Sequence, residues 1–288
     1  MYDYPLYRPP SEGNSLIIQV TLGCSHNKCT FCGMYKKKQF KIKSLEEIKK
    51  DIDFFRSEYS YVEKIFLADG DALIIKYSIL EEILSYINKV FPECKRITLY
   101  GSPKSILIKS EEELKKLKKL GLYMIYMGVE TGDERVLKDI NKGVTTKEII
   151  EAVNKVKLAG ILVSATFILG IGGKTKTKEH AINTGKLISL IAPDYVGLLS
   201  LMVEDNTALY KSIVENKFTL LKDMEVLEEL KLLIENICTN EEIIFRCNHG
   251  SNYIMLKGIL PNNKERLIKE VEFSMKNSLL RNEYERRL

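Results

Sequence analysis

No apolar run in this chain of 288 residues reaches the roughly 18–20 residues that a bilayer span requires, so no membrane-spanning helix is expected. The opening segment, MYDYPLYRPPSEGNS, lacks a basic start and an apolar stretch, which argues against a secretory signal. A cytoplasmic setting is the resulting expectation. There is no low-complexity tract and no linker rich in Gly, Pro or Ser, so one domain is expected. The net charge of +5 is too mild and dispersed to argue for nucleic acid by itself, although it does not exclude such a partner. The six cysteines lack the spread of a disulfide framework, a device of short secreted chains. Three lie between 24 and 32, and Cys94, Cys238 and Cys247 stand singly.

With 45% hydrophobic and 29% charged residues, the composition is that of a globular chain, long enough to bury a sizeable core without staples. Strands and helices alternate along it. Leu16–Leu22 reads as a buried strand ending at Gly23. Ser44 begins a helix with capping-box spacing to Glu47 and an apolar stripe at Leu45, Ile48, Ile52 and Phe55. Lys64–Ala68, Arg96–Tyr100, Tyr123–Val129, Leu162–Leu169 and Tyr195–Leu201 read as further strands. Between them Tyr77–Phe91, Ser110–Leu120, Thr146–Ala159 and His180–Ile191 read as helices, the second with a box from Ser110 to Glu113. Beyond residue 204 the pattern loosens into a helix at Met224–Ile237, a short strand at Ile243–Arg246 and a helix at Asn263–Met275.

Six strand–helix units in succession demand a parallel sheet, because each helix must carry the chain back across the sheet face. Right-handed crossovers then curl the sheet one way. Periodicity alone leaves an open barrel and a doubly wound sheet as alternatives. The expected organisation is an N-terminal tail (1–15), an α/β core (16–204) and a C-terminal extension (205–288) packed on that core.

The densest chemistry lies at Cys24-Ser-His-Asn-Lys-Cys29-Thr-Phe-Cys32. It follows the first strand, at the end where parallel α/β folds bind ligands. Three thiolates on a short loop can hold three irons of a four-iron cube, which leaves the fourth iron open to a cofactor or substrate.

This pattern resembles the radical S-adenosylmethionine (SAM) superfamily, whose motif is C-x3-C-x2-C with an aromatic residue before the third cysteine. Phe31 holds the aromatic place, and the interval from Cys29 to Cys32 is kept; four residues rather than three separate Cys24 from Cys29. Where the family has Gly-Gly-Glu-Pro for the SAM amino group, this chain has Asp69-Gly70-Asp71-Ala72. Glu130, after the fourth strand, resembles the polar residue that meets the ribose. Gly170, Gly172 and Gly173 resemble the stretch lying against the adenine. The segment from Pro193 through Tyr210 resembles the corresponding part of the family's members.

The resemblance implies a partial (β/α)6 TIM-like barrel of parallel strands with a C-terminal helical extension. It also implies a [4Fe–4S] cluster on Cys24, Cys29 and Cys32, with Phe31, Asp69, Gly70, Asp71, Glu130, Gly170 and Gly172 around SAM. The implied activity is reductive cleavage of SAM to a 5′-deoxyadenosyl radical, which abstracts hydrogen from an organic substrate. A low-potential donor such as ferredoxin or flavodoxin is implied as well.

Simpler readings stand beside these. The three cysteines with His26 form a possible zinc set, but His26 is cramped two residues from Cys24, and no second Cys-x2-Cys follows. A non-catalytic iron–sulfur electron carrier is the other rival. Asp69-Gly70-Asp71 alone is an ordinary polar turn, and Glu130 alone is a candidate helix cap. Arg246, Asn248, His249 and Asn252 form the densest late polar group, read either as substrate contacts or as a hydrogen-bonded loop. Cys247 is read as a thiyl-forming group or as a small buried hydrophobe. Because no RNA-binding or cobalamin-binding segment is visible, a small-molecule substrate is favoured.

Overall fold

Both expected capping boxes form. The Glu47 amide donates to Ser44 Oγ at 3.2 Å and the Ser44 amide to Glu47 at 2.8 Å; Ser110 and Glu113 repeat the pattern. They belong to a computed structural model that describes residues 2–287. The chain divides into two units, one of residues 2–27, 34–127 and 151–163, the other of 28–33, 128–150 and 164–287.

The first unit contains β1 (Leu16–Gln19), β2 (Thr21–Leu22), β3 (Lys41–Ile42), α1 (Leu45–Glu58), β4 (Lys64–Ala68), α2 (Tyr77–Val90), β5 (Arg96–Tyr100), α3 (Pro103–Leu107) and α4 (Glu111–Lys119), together with most of β6 (Leu122–Glu130). Its strands pair parallel in the order β1-β4-β5-β6, with Ile18 opposite Leu67 and Leu67 opposite Leu99. All three side chains are fully buried, as are Ile48 and Ile52 of α1 and Leu80, Ile83 and Ile87 of α2. Each helix thus covers the sheet with the apolar stripe that its 3.6-residue period supplies. The segment before β1 is tethered rather than loose. Glu12 is fully buried and accepts from Tyr126 Oη at 2.5 Å and Arg96 at 2.8 Å.

The second unit contains α5 (Glu134–Asp139), the start of α6 (Thr146–Leu158), most of β7 (Leu162–Leu169), α7 (Gly173–Ile191), β8 (Tyr195–Ser200), α8 (Ala208–Val214), α9 (Asp223–Glu235), β9 (Ile243–Cys247), β10 (Leu256–Leu260) and α10 (Lys264–Lys276). Strands β7, β8 and β9 pair parallel, and β10 returns antiparallel on β9. The core holds Phe167, Val196, Leu198, Phe245, Ile188, Leu230 and Leu233.

Several elements differ from the sequence expectation. The first strand splits at Val20 into β1 and β2. Helix α7 begins at Gly173 rather than His180. Its opening turns carry no apolar stripe and are held by neighbours instead: the Lys174 amide donates to Thr219 O at 3.0 Å, and Lys176 pairs with Asp139. Helices α3, α5 and α8 and strands β3 and β10 were not expected. They are short, and capping or pairing defines them more than periodicity does. Among the described residues no helix is long and apolar enough to cross a membrane.

Candidate functional site

The cysteine loop starts in the first unit, where one buried carboxylate fixes its beginning. Asp69, just past β4 and fully buried, accepts at Oδ2 from Gln19 Nε2 (2.9 Å), the Gly23 amide (3.0 Å) and Lys38 Nζ (3.2 Å). Its Oδ1 has no partner among the described residues. Burial pushes its carboxyl above the usual range, and those three donors oppose the shift. The Gly70 amide donates to Gly23 O at 3.1 Å. Gly23 is left-handed at φ +74°, a conformation that glycine takes without steric cost.

Asp71 holds the next residues. Its carboxylate accepts from Ser25 Oγ at 2.5 Å and from the amide and hydroxyl of Ser102 at 3.1 and 2.9 Å. Asn27 Nδ2 donates to Tyr35 O at 2.8 Å. A Cβ added at Gly70 would lie 3.1 Å from Cβ of Cys24 and 2.8 Å from the Tyr35 ring. The glycine therefore lets the 69–71 turn lie directly against the first cysteine. Both acids, at 0% and 1% exposure, accept from protein donors and so anchor the loop.

The remainder of the loop, residues 28–33, is secured within the second unit. The Thr30 amide donates to Ile140 O, and the Leu209 amide donates to Thr30 O, each at 2.9 Å. Asn141 Nδ2 donates to Lys28 O at 3.1 Å. Phe31 packs on an apolar cluster of Val136, Ile140, Ile168, Ile171 and Leu209. Its aromatic ring is an anchor that fastens the chain between Cys29 and Cys32. A Cβ at Gly33 would lie 2.6 Å from the side chains of Asn206 and Glu204, so this end also depends on glycine for close approach.

The three cysteines are half-buried. Among the described residues no group of three or more His, Cys, Asp or Glu is gathered for metal binding. The fit to an iron–sulfur group lies in the donor set, which is three sulfurs on irregular backbone with neighbours trimmed to glycine at Gly70 and Gly33. Cysteine thiolates are the ligands that such clusters take.

Glu130 closes β6 in the left-handed region at φ +73° and is ion-paired with Lys142 at 2.8 Å. It does not cap α5; Asp133 does, accepting from the amides of Arg135 and Val136. Gly170 follows β7 at φ +81°, and its amide donates to Glu229 Oε1 at 2.6 Å. Gly172 is the N-cap of α7.

The late polar group separates. Arg246 lies exposed on β9 and donates to Phe245 O and Gly258 O at 2.9 and 3.4 Å. Asn248 is exposed. His249 Nδ1 meets Ser251 Oγ at 2.9 Å and the Ser251 amide at 3.1 Å. Asn252 is 1% exposed and ties Leu198 O to Ser200 Oγ. Cys247 is buried, which pushes its thiol up to about 12.

Sequence reasoning missed Ser25, Ser102, Thr30, Thr131, His180 and Glu229. Their parts depend on partners many residues away, and no local spacing signals them.

The model of the Radical SAM superfamily matches residues 18–187. An uncharacterized methyltransferase of Pyrococcus horikoshii is 25% identical over 206 residues, covering 71% of this chain and 43% of the relative. The ribosomal protein uS12 methylthiotransferase RimO of Caldanaerobacter subterraneus subsp. tengcongensis is 27% identical over 220 residues, covering 73% of this chain and 49% of that protein. The chain thus matches about half the length of these curated relatives. Among solved structures, methylornithine synthase superposes with a TM-score of 0.54 at 16% identity, covering 92% of this chain and 81% of that one. That likeness bears on the fold alone and agrees with the expected parallel α/β class of partial (β/α)6 barrel. With the family match spanning more than half of its residues, this chain belongs to the radical SAM superfamily.

Proposed function

We propose that this chain binds a [4Fe–4S] cluster through Cys24, Cys29 and Cys32, cleaves SAM reductively and uses the resulting radical to take hydrogen from an organic substrate. Members of the superfamily use that cluster and SAM. When bound and reduced, the cluster supplies the electron that splits the sulfonium S–C5′ bond, giving methionine and a 5′-deoxyadenosyl radical.

The chain's own residues bind and orient. Asp69 and Asp71 hold Gly23 and Ser25, which places Cys24. Phe31 and the Thr30 backbone hold the segment that carries Cys29 and Cys32. On this reading Asp69, Gly70 and Asp71 serve SAM by shaping the loop. Glu130 meets the ribose hydroxyls on this reading, and Gly170 and Gly172 admit the adenine to the backbone. The observation that carries the reading is this anchored loop, whose buried carboxylates, aromatic plug and glycines all serve a segment with three thiols.

A ferredoxin- or flavodoxin-like donor and a small organic substrate in the cytoplasm complete the proposal. Substrates named for the relatives stay with them, since the match covers only part of each.

Anaerobic reconstitution with iron and sulfide tests it. The expected product is a brown protein with about four irons and four sulfides per chain that yields 5′-deoxyadenosine when given dithionite and SAM. Replacing any of Cys24, Cys29 or Cys32 by Ala abolishes that yield. A colourless protein retaining zinc supports the metal-site rival. A brown protein that leaves SAM intact under strong reduction supports the electron carrier; either outcome overturns the proposal.

A further inference from the structure

A buried polar chain in the second unit joins the two loops that the proposed function assigns to SAM, and its members lie outside the residues so assigned. It starts at Gly170. At φ +81° this residue has left the β7 ladder, so its amide needs an acceptor elsewhere. A buried donor left unpaired costs on the order of 1–3 kcal/mol.

Glu229, on α9 and 2% exposed, supplies the acceptor. Its Oε1 takes the Gly170 amide at 2.6 Å, and its Oε2 takes Thr177 Oγ1 at 2.5 Å. Next to it lies His180, 1% exposed, whose Nε2 stands 3.5 Å from Glu229 Oε1, within ion-pair range but with no hydrogen bond made at Nε2 among the described residues. On the other side of the ring, Nδ1 meets Thr131 Oγ1 at 2.7 Å. Thr131 Oγ1 already accepts the Asp133 amide at 3.0 Å, so its hydrogen is available for Nδ1. When the Thr131 hydroxyl donates to Nδ1, the neutral imidazole carries its hydrogen on Nε2, facing the Glu229 carboxylate. Thr184 Oγ1 adds a second tie by accepting the Gly132 amide at 2.9 Å. Thr131 immediately follows Glu130.

We infer that Glu229 and His180 are positioning residues that hold the Gly170–Gly173 turn and the Glu130–Asp133 turn in fixed relation, so that adenine and ribose are met together. The SAM-binding part rests on the function proposed above; the coupling of the turns does not. A carboxylate from α9, beyond the span of the family match, thereby sets the backbone that receives the nucleoside.

The test uses the full chain with its cluster reconstituted, and three variants. Glu229→Met removes the acceptor while keeping bulk. Glu229→Gln keeps one oxygen for the Gly170 amide. Thr131→Val cuts the far end of the chain of contacts, both at His180 Nδ1 and at the Asp133 amide. Amide hydrogen exchange is followed at both turns, and binding of S-adenosylhomocysteine, which needs no cleavage, is measured by calorimetry.

Glu229→Met is expected to speed exchange about tenfold at both turns and to weaken binding about tenfold, the effect of leaving the buried Gly170 amide without its acceptor. Thr131→Val should speed exchange at Gly170–Gly173, a turn it does not touch. Glu229→Gln should stay within about threefold of the wild type in both measurements. The inference is overturned if each variant disturbs only its own turn, or if Gln behaves as Met does. If Glu229→Met does not fold, the other two variants decide by the same criteria. A wild type that takes up no S-adenosylhomocysteine would count against the SAM assignment, while the exchange data still decide the coupling.

Discussion

Gly70 and Cys24 are packed so closely that a methyl group on the glycine would stand 3.1 Å from the cysteine Cβ. The Gly70→Ala variant must therefore move either the Asp69–Asp71 turn or the cysteine. Overpacking of this kind costs about 1–3 kcal/mol. The expected result is a folded protein that retains clearly less iron after anaerobic desalting than the wild type. Unchanged iron content would show that the turn yields without disturbing the loop.

Phe31 gives a second handle on the same loop. Its ring packs on the apolar cluster that includes Ile140, Ile168 and Leu209, so Phe31→Ala loses that anchorage at a cost of about 2–3 kcal/mol, near the lower end for large-to-small changes because the ring is only half-buried. Faster loss of the cluster to a chelator is expected, with Phe31→Leu between Ala and the wild type. Chelation kinetics followed by the visible absorbance of the cluster would measure it.

Thiol alkylation should rank the three remaining cysteines. Burial raises Cys94 to about 11 and Cys247 to about 12, so both stay protonated near neutrality, and the thiolate is the reactive form. Cys238 is exposed. Iodoacetamide under native conditions should label Cys238 first, with Cys94 and Cys247 labelled only after denaturation. Peptide mass spectrometry resolves the order, and early labelling of Cys247 would show that its pocket opens.

His249 should make stability depend on pH. Burial holds its imidazole below the usual 6.5, and in the folded state Nδ1 accepts the Ser251 amide, which protonation would forbid. The depressed value means that the stability present above 6.5 is lost as pH falls through the folded-state value. Melting temperatures taken between about pH 8 and about pH 5 should fall less steeply for His249→Gln than for the wild type. Equal slopes would remove the imidazole as the cause.

The strand–helix alternation was legible because each helix advertises its cap and apolar stripe, as Ser44 with Ile48 and Ile52 do. So was the thiol trio, whose spacing is local. What stayed hidden depends on distant partners. Nothing near Asp69 reveals that Gln19, Gly23 and Lys38 all donate to one of its oxygens, and so its part as an anchor could not be read. Phe31 was noted for its place in the motif, yet the cluster it plugs comes from five residues between 136 and 209. Strand β10 escaped because Leu256–Leu260 is short, contains Gly258 and is defined by pairing with β9.

The bond from Gly170 to Glu229 also sets a limit on dissection. A boundary drawn after β8, where the expected α/β core ends, looks natural on paper. A fragment cut there would lose the helix that accepts the Gly170 amide and would leave His180 Nε2 without the Glu229 carboxylate beside it. Expressed alone, such a piece should misplace its own nucleoside-facing turn even if every motif residue were present, so the smallest competent fragment has to run at least through the end of α9.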